Sequence, residues 1–174
     1  MPSIHVCALS RISDIVRATG ARSMVSLINL AHEVARPDDI AEAQHLFLGM
    51  ADIVTEQEGL VLPGSDHVSR LLVFVRGWDR REPMVIHCFA GVSRSTAAAF
   101  IAACALQPER AEAEIAGTIR ALSPTATPNP RLVALADAML QRGGRMVAAL
   151  ETIGRGVDCF EGVPFALPVG IGTK

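Results

Sequence analysis

The stretch VIHCFAGVSRSTAAA, residues 85–99, ends an apolar run in a cysteine, places an arginine six positions later, and sets a serine on each side of that arginine. A cysteine becomes a strong nucleophile once it is a thiolate, and the planar fork of arginine can bind two oxygens of a tetrahedral anion at once. The loop between Cys88 and Arg94 contains no proline, so all of its backbone N–H groups are available, and Gly91 supplies a conformation that other residues resist. A ring of inward N–H groups followed by a helix N-terminus is an anion site. The field that holds an oxyanion also favours a thiolate, so Cys88 is expected to be ionised near neutral pH. Together these residues suit in-line transfer of a tetrahedral group to sulfur, with charge stabilisation on its outer oxygens.

Such a loop must sit at the carboxyl end of a strand, with a helix pointing its N-terminus into the crevice. Strands are expected at Ile4 to Leu9, Met24 to Leu30, His45 to Met50 and Met84 to His87, where apolar runs end in turn signals. A helix is expected from Ser65 to Trp78, because Val68, Leu71, Leu72 and Val75 follow the i, i+3, i+4, i+7 rule, with Ser65 or Asp66 as its cap. The Cys88 loop should open a second helix at Ser95. Ala111, Ile115, Ile119 and Leu122 mark another helix face, and Leu132, Leu135, Ala136, Met139 and Leu140 one more. SPTATPNP, Ser123 to Pro130, reads as a loop between helices that share a core. The expected fold is an α/β sandwich: a central, mainly parallel sheet of about four to five strands flanked by helices. Residues 1–153 are expected to form a single domain, with 154–174 as a Gly/Pro-containing tail, packed or flexible.

Of the 174 residues, 50% are hydrophobic and 20% charged, which suits a substantial core and argues against disorder. A formal charge of −2 and no Lys/Arg block make nucleic acid an unsuitable partner. The longest apolar stretch, Ala97 to Leu106, is about half of the roughly 20 residues a membrane span needs. The N-terminal residues lack signal-peptide character, so a cytoplasmic location is expected. Cys7, Cys88, Cys104 and Cys159 form no C-x-x-C pair and no zinc spacing, and His5, His32, His45 and His67 form no cluster with carboxylates. No metal and no cofactor is expected. Cys7 and Cys104 lie inside apolar runs and read as small hydrophobes.

HCFAGVSRS, residues 87–95, resembles the His-Cys-x5-Arg-Ser/Thr signature of the cysteine-dependent protein tyrosine phosphatases. The likeness runs from about His45 to Leu140 and is nearest the compact dual-specificity-like branch, which includes small bacterial members. It implies a phosphatase-like fold and a phosphocysteine intermediate formed without metal. Carried across by position, Cys88 is the nucleophile, and Phe89, Ala90, Gly91, Val92, Ser93 and Arg94 bind phosphate. Arg94 also stabilises the transition state, Ser95 hydrogen-bonds the sulfur as it leaves, and His87 orients the loop. The implied partner is a phosphorylated protein, with phosphotyrosine the first expectation and dual specificity open, or a small phosphoester. No Trp-Pro-Asp triplet, no Lys-Asn-Arg-Tyr-type loop and no clear glutamine loop is present, unlike the larger receptor-type members. The loop interior FAGVS has no lysine, which disfavours phosphoinositides.

Ester cleavage also needs a proton for the departing oxygen. The resemblance implies an aspartate on a loop after an earlier strand. Asp52, just beyond the strand ending near Met50, fits that place, and Asp66 is the rival, although a capping role explains it well. Asn129 in the turn TPNPR resembles a family position near the loop, where it would help place water. Two other readings compete: a non-catalytic phosphate-binding module, and a rhodanese-like sulfurtransferase carrying a persulfide on Cys88. GVSRS also imitates a Gly-x-Ser-x-Gly nucleophile elbow, but Ser95 replaces its final glycine.

Overall fold

The computed structural model describes residues 2–170. Five strands, β1 (Ser3–Ala8), β2 (Ser23–Ile28), β3 (His45–Gly49), β4 (Met84–Cys88) and β5 (Phe165–Pro168), form one sheet in the order β3-β2-β4-β1-β5. All neighbours pair in parallel except β5, which runs antiparallel to β1. Every residue of β2 and β4 is buried, so these strands are mostly apolar on both faces instead of alternating, with Ser23, Ser26 and His87 as buried polar exceptions.

Six helices cover the sheet: α1 (Ile12–Thr19), α2 (Ser65–Gly77), α3 (Arg94–Leu106), α4 (Glu112–Leu122), α5 (Pro130–Met139) and α6 (Arg145–Ile153). On one face lies the smaller core, where Ile12 and Val16 of α1 meet Cys7, Met24 and Val85. The other face carries the larger core, built around α3. Residues Arg94 to Cys104 of α3 are buried on every side, and its run of alanines lets neighbouring helices approach closely. β4 and α3 are thereby held rigidly on either side of the Cys88 loop.

Three local expectations change. The helix expected from Ser65 starts there, but its N-cap is Gly64 and not Ser65 or Asp66; no capping side chain stands there, and His67 Nδ1 instead accepts from the Gly64 N–H at 3.0 Å. Arg94 is the first residue of α3 instead of the one before it. The tail turns back to the sheet, where Phe165–Pro168 pair with Ser3–Val6.

Candidate active site

Cys88 ends β4 and Arg94 begins α3, so a five-residue loop joins the most buried strand to the most buried helix. Gly91, at the middle of the loop, has φ +71°, and a Cβ there would meet Ala8 N and the Cys7 carbonyl carbon at 2.8 Å. Only glycine fits this close approach to β1.

Four of the five loop carbonyls are turned outward and held by neighbouring segments, two of them by the one loop before α5. Phe89 O accepts from Leu9 N (3.1 Å), Ala90 O from Gly162 N (2.9 Å), Val92 O from Thr127 N (2.9 Å) and Ser93 O from Asn129 N (3.3 Å). Among the described residues, the N–H groups of residues 90–93 have no acceptor in the protein. A loop with its carbonyls tied outside and its amides free is a cradle for an anion.

Cys88 lies at the base of this cradle, 2% exposed, with its Sγ 3.1 Å from Ser95 Oγ. Arg94 is also buried; its Nη1 donates to Met50 O at 2.9 Å and reaches Asn29 Oδ1 at 3.4 Å. Its Nε–H is buried with no partner. A buried guanidinium anchored by one corner and unsatisfied along another edge is poised for a ligand oxygen, because an orphaned charged donor is costly to keep.

His87 shares in a polar chain that crosses the sheet. Its Nδ1 lies 3.1 Å from Cys88 O, which can only accept, so Nδ1 carries the proton. Burial, chiefly, with smaller contributions from His45 and Arg94, lowers the His87 pKa to about 4 against the opposing pull of the Cys88 carbonyl. The ring is therefore neutral, and its Nε2 accepts from Ser26 Oγ at 2.6 Å. Ser26 Oγ in turn accepts from His45 Nε2 at 2.8 Å. Every proton in the chain from His45 through Ser26 to His87 and the Cys88 carbonyl is thus assigned.

Asp52 stands on the loop after β3, exposed, with Oδ1 accepting from Ser93 Oγ (2.8 Å) and Asn129 Nδ2 (2.9 Å). The same Asn129 side chain caps α5, its Oδ1 accepting from the N–H groups of Arg131 and Leu132, both at 3.1 Å. One amide therefore ties the carboxylate to a helix N-terminus. Asp66 lies in the first turn of α2, with no such tie to the loop. Cys7 and Cys104 are held by burial up to about 12, Cys7 with a further push from Cys88. Among the described residues no group of three His, Cys, Asp or Glu is placed to hold a metal ion.

The structure thus brings His87, Cys88, the loop Phe89–Ser93, Arg94, Ser95 and Asp52 together. Sequence reasoning did not single out Ser26, Asn29 or the Met50 carbonyl. Ser26 did leave a signal, as a polar residue in the middle of the mostly apolar strand SMVSLI.

The protein-tyrosine phosphatase family model matches residues 58–124, which include α2, β4, the Cys88 loop, α3 and α4. Human DUSP28 superposes with a TM-score of 0.62 at 16% identity, over 82% of this chain and 96% of that one. The Cydia pomonella PTP-2 phosphatase gives a TM-score of 0.62 at 19% identity, over 79% of this chain and 86% of that one. PTPMT1, solved in complex with PI(5)P, gives 0.62 at 12% identity, over 85% and 94%. No curated protein matches the sequence. The family-model match and the shared fold bear out the resemblance to the cysteine-dependent phosphatases read from HCFAGVSRS.

Proposed function

We propose that this chain is a cysteine-dependent phosphatase that hydrolyses phosphomonoesters, with phosphotyrosine in proteins as its principal substrate. The observation that carries this reading is the orphaned Nε–H of buried Arg94 at the end of a loop whose amides have no acceptor in the described residues. That arrangement calls for a tetrahedral anion directly above a sulfur.

In the proposed reaction the loop amides of residues 89–93 and Arg94 hold the phosphoryl oxygens. The Cys88 thiolate attacks phosphorus while the ester P–O bond breaks opposite to it. The departing oxygen takes a proton from Asp52. Water then attacks the phosphocysteine, Asp52 recovers the proton, and the P–S bond breaks with its electrons returning to sulfur. Ser95, 3.1 Å away, donates to that sulfur and stabilises it as a leaving group. His87, locked with Nδ1–H on the Cys88 carbonyl, orients the peptide that carries the nucleophile. In this reading Asp52, not Asp66, is the acid, because Asp52 touches Ser93 of the cradle.

Phosphotyrosine is favoured because Cys88 is only 2% exposed. A phosphate bound over it sits beneath the rim, a depth that an aromatic ring spans more readily than the short arm of phosphoserine. The lysine-free loop FAGVS gives no support for phosphoinositides. We assign the phosphatase unit to residues 1–153 together with the following segment, which supplies β5 (Phe165–Pro168) to the same sheet. No described helix is long and apolar enough to cross a membrane, and a cytoplasmic location is part of the proposal.

The test is release of p-nitrophenol from its phosphate. The wild type should turn over and be blocked by vanadate, and Cys88→Ser should be inactive. Turnover that survives Cys88→Ser would overturn the covalent route.

A further inference from the structure

The segment GRGVDCFEGVP, residues 154–164, lies beyond the matched family region, yet it is fastened to the catalytic loop. Gly162 N donates to Ala90 O at 2.9 Å, and a Cβ on Gly162 would meet Gly91 O at 3.0 Å. Glu161 accepts from Ser10 Oγ at 2.8 and 2.9 Å, beside the Leu9–Phe89 backbone bond. Upstream, Val157 N donates to Pro124 O (2.9 Å) and Gly156 N to Thr127 Oγ1 (3.1 Å). So many fastenings fix the backbone, while three large apolar side chains of the segment, Val157, Phe160 and Val163, are left exposed. Phe160 is 90% exposed and Val163 77%, and Phe89 of the loop itself is 47% exposed.

The sheet order puts this segment on the β1/β5 side of the loop. On the other side, after β2 and β3, Leu30 is 68% exposed and Val61 40%. Exposed apolar side chains of this size normally need a reason when they gather at one edge of a fold. Within the segment the carboxylates are Asp158, paired with Arg155 at 2.5 Å, and Glu161, and the chain leading to Val61 carries Glu56 and Glu58.

We propose that Phe160 and Val163, with Phe89, form a substrate lip that docks the polypeptide beside the phosphorylated residue, selecting apolar and basic neighbours and rejecting acidic ones. The inference rests on the phosphatase reading for its substrate. An apolar side chain next to the phosphoresidue packs on Phe160, and the carboxylates around the rim repel an acidic neighbour. The same carboxylates oppose contact with an anionic membrane.

The test measures binding of phosphotyrosine peptides to the Cys88→Ser protein by fluorescence anisotropy, alongside turnover of p-nitrophenyl phosphate by the wild type. Peptides flanked by Leu or Arg should bind at least about fivefold more tightly than those flanked by Asp, and Phe160→Ala in the same background should abolish the Leu preference. Glu161→Gln should narrow the gap against Asp about threefold. In the catalytic background, Phe160→Ala should lower kcat/KM several-fold more for the Leu-flanked peptide than for p-nitrophenyl phosphate, through KM. Equal affinity for all peptides would overturn the lip, as would Phe160-dependent pelleting with phosphatidylserine vesicles. A clear peptide preference with no turnover of either substrate would keep the lip and overturn the phosphatase reading.

Discussion

Lowering the pH should destabilise this protein through His87 by an amount that follows from its surroundings. The ring is fully buried, donates to the Cys88 carbonyl, accepts from Ser26, and has its pKa lowered from 6.5 to about 4, mainly by burial. In the unfolded chain the ring takes up a proton near pH 6.5, whereas the folded protein refuses it until about pH 4. Between those values the unfolded state binds more protons, so stability is complete above pH 6.5, declines as the pH falls, and stops declining below about 4. With one pKa unit worth about 1.4 kcal/mol, the loss is about 2 kcal/mol by pH 5 and about 3 kcal/mol in full. That is a sizeable share of the roughly 5–15 kcal/mol typical of a domain. Urea unfolding of the wild type and of His87→Asn, measured from pH 8 to pH 4, isolates the effect. The variant keeps a side-chain donor near the Cys88 carbonyl but no titrating group. His5, His45 and His67 are also lowered by burial and tilt both curves alike, so the difference between the proteins reports His87. The advantage of the wild type should shrink by about 3 kcal/mol across the window. Parallel curves, or a difference that grows as the pH falls, would refute the neutral, buried assignment of His87.

Other perturbations follow from single contacts. Gly91→Ala must strain a residue at φ +71° and push on the β1 backbone, so vanadate binding should vanish and stability drop by about 1–3 kcal/mol in the same urea assay. Ser26→Ala removes the donor to His87 Nε2, freeing the ring to change tautomer and release the Cys88 carbonyl; kcat for p-nitrophenyl phosphate should fall several-fold, and Ser26→Thr should restore it. Asn129→Ala should cost about 1 kcal/mol through the lost α5 cap, and should lower kcat because Asp52 loses a partner. Asn129→Asp, which keeps the cap, should recover stability but not kcat. Far from the site, Glu112 holds Arg142 and Arg145, each at 3.2 Å. Burial raises its pKa, but a bond to its own backbone and the two arginines outweigh that and lower it. Glu112→Gln should therefore destabilise the protein most at pH 7 and progressively less as the pH falls below the ordinary carboxylate range, because the stabilisation is lost as the pH drops through the lowered folded value.

The chemistry of the site was legible because it is local. A cysteine, a glycine and an arginine within one loop declare themselves by spacing, and the flanking apolar run and alanine-rich stretch declare the strand and helix. Asp52 was legible as well, since a residue just past a parallel strand must emerge at the same sheet edge as Cys88. What could not be read was set by long-range pairing. Ser26, His45 and His87 come from three strands and meet only because β2 lies between β3 and β4. The cap of α2 misled because a histidine one turn in replaces the usual capping hydroxyl or carboxylate. The strand β5 was hidden because Phe165–Pro168 is short and bounded by prolines, and gains its place only by pairing with β1. Neither α1 nor α6, two short helices, was marked by a long enough apolar period.

The account stands or falls on whether phosphorus becomes bonded to Cys88. Mixing excess enzyme with an aryl phosphate, quenching within milliseconds and mapping the digest by mass spectrometry tests this directly. One phosphoryl group should appear on the peptide carrying Cys88, and it should accumulate in Asp52→Asn, where hydrolysis lacks its base. Full turnover with no phosphoryl on that peptide, or with the label on another residue, would contradict the account.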